Sequence, residues 1–217
     1  MSDKPQLLYF DIRGRAEPIR LLLKDLGVPF TDRQITLEEW PALRSSTPFR
    51  RMPVYSESDL EIPETFAILN HLGRKYGMLG DTEVARVRCD VTIEIWRDYG
   101  NRIAHTFGAL SKSEADRKRF VGEELPELLN PIEIYYGARG TETPYWAGEV
   151  ITIADFVAFD MIDGAASQFP DALARFPALK TFRAHFANRP NIERYLVSSR
   201  RPDALFYGSN GKIYPAA

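Results

Sequence analysis

Chemistry-bearing groups stand close together near the start of the chain. Tyr9 lies at the end of the apolar run LLYF, Arg13 and Arg15 flank Gly14 in the turn after it, and a strongly patterned helix opens at once. A phenol can donate one hydrogen bond. Guanidinium groups and a helix N-terminus raise the electrostatic potential around it. Such a grouping suits a bound anion. The plainer alternative is a core strand that merely ends on Tyr9 and Phe10.

Other candidates carry weaker signals. Glu64-Thr65 stands at a helix start, where a hydroxyl residue is a common cap. Met52-Pro53 opens a strand-like run, a usual place for a residue that cannot donate to a ladder. Asp98, in EIWRDYGN, lies on a long amphipathic helix, where an acid can simply face water. The single cysteine, Cys89, sits mid-helix in VRCDV and reads as a packed structural thiol, so no intrachain disulfide is expected. His71, His105 and His185 are scattered without metal-ligand spacing, and no metal is expected.

Bulk properties narrow the function classes. The chain has 217 residues, 44% hydrophobic and 27% charged, with a net charge of -2. That length supports a sizeable core in one or two domains. The charge balance argues against a nucleic-acid surface. No apolar run reaches the length of a membrane span, and the polar start MSDKPQ does not read as a signal peptide. A cytoplasmic protein is expected.

The elements that must position these groups follow from periodicity. Residues 5–10 read as a buried strand. From Arg15, Ile19, Leu22, Leu23 and Leu26 recur at i, i+3, i+4, i+7, one face of a helix that Gly27 ends. VPFTDRQI at 28–35 reads as a second strand, completing a βαβ unit. MPVYSESDLEI at 52–62 reads as a hairpin. A helix follows, with Pro63 in its first turn, Ile68, Leu69 and Leu72 facing inward, and Gly77 as its stop. Beyond a linker at 78–84 the pattern is helical, with breaks around Gly137 to Gly140, at Pro144 and at Pro170. TIAD at 152–155 is a capping-box variant. The fold class is therefore α/β plus all-α: a βαβ–ββα domain at 1–77 and an all-helical domain at 85–217.

The βαβ–ββα order, the X-Pro bond opening the third strand and the acid–hydroxyl pair opening the last helix resemble a thioredoxin-like fold. YFDIRGRAEPIR, EEWPALRSSTPFRRMPV and PYWAGEVITIADF, in that order, resemble the cytosolic glutathione transferases, tyrosine-type, and most of all the sigma class. The resemblance implies a detoxifying, homodimeric transferase. It would conjugate the thiolate of glutathione, a co-substrate rather than a permanently bound cofactor, to a hydrophobic electrophile such as a Michael acceptor or an activated halide. A glutathione-dependent isomerase or peroxidase on the same site, or a non-catalytic binding or structural relative, is the alternative.

The resemblance also assigns roles. Tyr9 would donate to the thiolate, with Arg15 adding positive potential. A free thiol has a pKa of about 8.5, and lowering it by about two units needs roughly 2.7 kcal/mol, within reach of one charge-assisted hydrogen bond. Met52 would pair its backbone with the cysteinyl unit across a cis bond to Pro53. Trp40, Arg44 and Arg51 would gather about the glycyl carboxylate. Thr65 would bind the γ-glutamyl carboxylate, and Glu64 its ammonium, although relatives usually carry Gln-Ser there. Asp98 would reach that ammonium from the neighbouring subunit. Phe10, Ile12, Tyr99, Phe107 and the C-terminal Phe206-Tyr207 are the expected electrophile pocket.

Overall fold

The structure, a computed structural model, describes residues 4–110, 114–138, 144–169, 171–207 and 213–215. Side chains are not described at 103–110, 114, 116–117, 206–207 and 213–215.

Strand β1 (Gln6–Phe10) is central in a four-stranded mixed sheet of order β2-β1-β3-β4. It pairs in parallel with β2 (Thr31–Ile35), Tyr9 standing opposite Gln34, and antiparallel with β3 (Val54–Glu57), Leu8 opposite Val54. A parallel pair needs a crossover, and helix α1 (Glu17–Asp25) supplies it. Alternation along β1 sends Leu7 and Tyr9 into the core. Ile19, Leu22 and Leu23 are fully buried as the periodicity requires. Leu26 is not: it caps the helix C-terminus and is 37% exposed, because the chain turns away at Gly27, whose φ is 66°.

After β2 the chain forms a short helix, α2 (Trp40–Leu43), and two tight turns before β3. The hairpin is completed by β4 (Leu60–Pro63). Pro63 thus closes a strand, opposite Val54, rather than opening the next helix. Its place at the sheet edge leaves its missing N–H without cost to the ladder. Helix α3 (Thr65–Tyr76) begins two residues later, buries Ile68, Leu69 and Leu72, and ends on a left-handed Gly77.

The second part is built around α4 (Glu83–Leu110) and α7 (Ile153–Gln168). Between them, α5 (Glu114–Arg119) passes through a π-helical turn at Phe120–Glu124 into α6 (Leu125–Gly137). Helices α8 (Pro177–Ala187) and α9 (Pro190–Leu196) follow. The chain then departs from the all-helical expectation. β5 (Ala204–Tyr207) and β6 (Ile213–Pro215) form a short antiparallel pair. In the sequence, two short apolar runs separated by GSNG carry the hairpin signal.

Helix α7 is buried on nearly every side, and its start shows how that is tolerated. The Asp155 carboxylate accepts from the Thr152 N–H at 2.7 Å, the Thr152 hydroxyl at 3.0 Å and the Trp146 N–H at 2.7 Å. The expected capping box is present and also ties down the segment before the helix.

Helix α1 packs against α7 and α9, and charge joins the two parts. Arg20, fully buried, donates to Asp32 at 3.0 Å and to the Ile12 carbonyl at 2.8 Å. Glu17, also fully buried, accepts from Arg201 at 2.8 Å and from the Tyr195 hydroxyl at 3.1 Å. Arg201 bonds Asp163 at 2.7 Å, and Arg183 bonds the same carboxylate. These contacts hold the start of α1, and with it the turn after Tyr9, against the helical part.

Candidate active site

Tyr9 stands near the end of β1, and the chain then curls back over it. A turn of 3-10 helix at Gly14–Ala16 carries the Arg15 N–H to within 3.1 Å of the Tyr9 hydroxyl, which accepts it. Gly14 makes this approach possible. Its φ is 44°, and a Cβ there would lie 2.8 Å from the Tyr9 Oη. Glycine alone fits both the conformation and the space. Burial pushes the Tyr9 phenol pKa up; the Arg15 N–H and the charges of Arg15 and Arg20 oppose it but are outweighed. Tyr9 is therefore a neutral phenol near pH 7. No described residue accepts its proton, so the group has one hydrogen bond to give.

The same turn is held from the other side. The Thr65 hydroxyl, at the first position of α3, donates to the Arg15 carbonyl at 2.9 Å. Glu64, the N-cap, is exposed and has φ 70° and ψ 125°. A non-glycine residue there is strained, a condition that clusters at ligand-binding positions. Together these contacts bring the unsatisfied N–H groups of the α3 N-terminus beside Tyr9.

A cavity of about 660 Å³ opens between the sheet end, α3, α4 and α7. Tyr9, Phe10, Ile12, Trp96 and Met161 give it a largely apolar wall, and Glu64 and Thr65 stand at its edge. The Arg15 guanidinium donates to Asn101 on α4 at 3.2 Å across the opening. Arg13 does not share the exposed position of Arg15. It is 8% exposed and donates to the Pro202 carbonyl at 3.0 Å, anchoring the chain after α9. The cavity can take a hydrophobic reactant beside a group held at Tyr9.

Comparison with known proteins settles the family. The family models described as "Glutathione S-transferase, N-terminal domain" and "Glutathione S-transferase, C-terminal domain" match residues 5–74 and 98–199. The chain is 35% identical to "Glutathione S-transferase P" of Caenorhabditis elegans, over 88% of this chain and 91% of that protein. It belongs to the glutathione S-transferase family. The pi-class glutathione S-transferase structure from Onchocerca volvulus superposes with a TM-score of 0.83 at 31% identity, over 89% of this chain and 92% of that one. The structure of a prostaglandin synthase D of Nilaparvata lugens superposes at 0.78 with 25% identity, over 89% and 97%.

In this glutathione S-transferase the residues anticipated from sequence fall into three groups. Tyr9, Phe10, Ile12, Arg15, Glu64 and Thr65 line one cavity. Trp40, Arg44, Arg51, Met52 and Pro53 are not part of its wall. Trp40 meets Phe10 edge to face at 5.7 Å, the Met52-Pro53 bond is cis, and Arg44 and Arg51 are exposed. Asp98 and Tyr99 stand apart from the cavity. Tyr99 leans on Trp96, with ring centroids 6.3 Å apart; the cavity instead takes Trp96, Arg97, Gly100 and Asn101 from that helix. Those four positions share a face at the 3.6-residue period, and Tyr99 is one step off it. Phe107, Phe206 and Tyr207 lie outside the residues whose side chains are described. Gly14, Asn101 and Asp160 also line the cavity and were missed. The glycine between two arginines was a usable signal for the first. Nothing local marked the other two.

Proposed function

We propose that this glutathione S-transferase activates glutathione at Tyr9 and adds its sulfur to electrophiles held in the cavity between β1, α3, α4 and α7. The observation that carries this reading is the Arg15 N–H bonded to the Tyr9 oxygen at 3.1 Å. That bond polarises the phenol and leaves its proton for the sulfur. A hydrogen bond to a charged acceptor contributes about 1.5–3 kcal/mol, enough to move a thiol from about 8.5 toward neutral pH. The Arg15 charge and the α3 N-terminus add favourable potential.

The tripeptide lies with its γ-glutamyl end at the start of α3. The Thr65 hydroxyl proton is directed to the Arg15 carbonyl, so the Thr65 N–H and the helix end carry the carboxylate, and Glu64 faces the ammonium. The Met52 backbone pairs with the cysteinyl unit beside cis Pro53, and Trp40, Arg44 and Arg51 collect about the glycyl carboxylate.

The working unit is a homodimer. Phe49 is 78% exposed in a turn with φ 53°, and Val84, Val87 and Val91 form an exposed row along α4. Asp98 continues that row at the next heptad step, so a second copy covering it would bring Asp98 toward the other subunit's glutathione. The functional units are 1–77 and 85–217, joined at 78–84, and the protein works in the cytoplasm. Among the described residues no helix is long and apolar enough to cross a membrane. The prostaglandin synthase D likeness supports a second reading, a glutathione-dependent isomerase on the same site.

Turnover of glutathione with a chloro-dinitro-arene tests the transferase reading directly. The expected result is saturable conjugation, lost in parallel with the ultraviolet signature of bound thiolate when Tyr9 is replaced by phenylalanine. Full activity without Tyr9 would overturn the assignment.

A further inference from the structure

The wall of the electrophile cavity holds a carboxyl that the mechanism above leaves idle. Asp160, on α7, lines the cavity and is 7% exposed. No described residue donates a hydrogen bond to it. The arginines nearest to it are committed elsewhere: Arg201 to Glu17 at 2.8 Å and Asp163 at 2.7 Å, Arg13 through its Nε to Pro202. Arg13 Nη1 is itself buried without a hydrogen bond and lies 3.9 Å from Asp163, not Asp160. A buried carboxylate without a partner is costly, so the group takes up a proton instead.

Resting on the transferase reading, we propose that Asp160 is a catalytic acid for one class of electrophile, the α,β-unsaturated carbonyl. In that reaction the glutathione sulfur forms a bond to the β-carbon. The C=C electron pair moves to the α-carbon and onto the carbonyl oxygen, and Asp160 gives its proton to that oxygen. The enol then tautomerises to the saturated carbonyl, and Asp160 regains a proton from solvent, matching the one released when the thiol ionised. Displacement of chloride from an aryl chloride needs no such proton, since chloride leaves as the anion. The two substrate classes therefore make different demands on one residue.

The surroundings agree with a proton-bearing group. Burial, with Glu17 on α1 and Asp163 on α7, drives the Asp160 carboxyl well above the ordinary carboxylate range, against weaker opposition from Arg201 and Arg13. Tyr9 and Asp160 line the same cavity, so an electrophile beside the sulfur proposed to sit at the phenol shares that space with the carboxyl.

The test compares an enone with a chloro-dinitro-arene in wild type and in Asp160→Asn, an isostere of the neutral acid. The ratio of enone to arene kcat/KM should fall about 100-fold in the variant, the scale of one general acid. In wild type the same ratio should decline at high pH as the carboxyl ionises. Both rates depend equally on the thiolate, so the ratio isolates the acid. In Asp160→Asn the ratio should be flat with pH. Asp160→Leu, assayed after its melting midpoint is measured, serves where Asn perturbs packing. An unchanged ratio, equal losses for both substrates, or a pH-independent wild-type ratio each overturns the proposal. Turnover of the arene without the enone in wild type overturns it while leaving the transferase reading intact. Turnover of neither overturns both.

Discussion

The Arg15 N–H donates to the Tyr9 hydroxyl at 3.1 Å, and the Arg15 carbonyl accepts from Thr65 at 2.9 Å. One peptide segment therefore links the proposed sulfur-activating phenol to the start of the helix proposed to bind the γ-glutamyl end. Tyr9→Phe removes both the acceptor for Arg15 and the donor to sulfur. Turnover should fall roughly 10- to 100-fold, the scale of one charge-assisted hydrogen bond. The pKa of the bound thiol, followed by ultraviolet absorbance, should rise, while glutathione affinity changes little. An unmoved thiol pKa would remove Tyr9 from the role.

Gly14→Ala tests the turn without replacing either partner. The new Cβ would meet the phenol at 2.8 Å and sit at φ 44°. Stability should drop by about 1–3 kcal/mol from the strained backbone and contact. Turnover should fall in the folded fraction, because the Arg15 N–H is pushed from Tyr9. Chemical denaturation and initial rates on the same preparation check both parts.

At the α7 start, Asp155→Ala strips partners from two buried N–H groups, those of Trp146 and Thr152. A loss of about 2–5 kcal/mol is expected. The pH dependence has a definite sign. Burial pushes the Asp155 carboxyl from 3.8 up to about 6. The unfolded chain then ionises first, so the stability this group confers is complete below about pH 4 and is lost as pH rises through about 6. The stability of wild type relative to Asp155→Asn should fall by roughly 3 kcal/mol across that window, read from denaturation midpoints at each pH. A gap that widens with pH would contradict the assignment.

Asp98 is exposed and away from its own cavity. Asp98→Ala should raise KM for glutathione with the melting midpoint preserved. Heterodimers formed with a Tyr9→Phe subunit should contain one competent site, because each chain supplies what the other lacks. A heterodimer KM for glutathione as high as that of the Asp98→Ala homodimer would place Asp98 within its own subunit's site, and an unraised KM in that homodimer would place it outside both.

Cys89 is 1% exposed, and burial pushes its thiol up to about 11. Thiolate is the reactive form, so alkylation of the native protein at pH 8 should be slow and should become fast on unfolding. Mass spectrometry of partly denatured samples follows it. Rapid native labelling would mean that α4 opens locally.

Local patterns in the sequence carried much of this protein. The period-2 run at Leu7 and Tyr9 and the period-3.6 run at Ile19, Leu22 and Leu23 made the βαβ unit legible. The glycine stop at Gly77 and the capping box at Thr152 and Asp155 were legible because caps are written within a few residues of one another. The tertiary structure decided what depends on distant partners. Pro63 belongs to a strand because Val54 lies opposite it. Tyr99 misses the cavity because packing turns inward the α4 face that carries Trp96 and Gly100, and Tyr99 lies one step off it. Arg13 proves to be an anchor for Pro202, and the backbone N–H of Arg15, more than its guanidinium, engages the phenol. Asp160 shows the limit most clearly. Its sequence neighbours mark it as one more residue of an apolar helix. Only the fold, by pairing Arg201 with Glu17 and Asp163 from remote parts of the chain, leaves that carboxyl in the cavity wall without a hydrogen-bond partner among the described residues. Periodicity and capping are local and survive in one dimension; which charge finds which partner is settled by contacts between segments far apart in the chain.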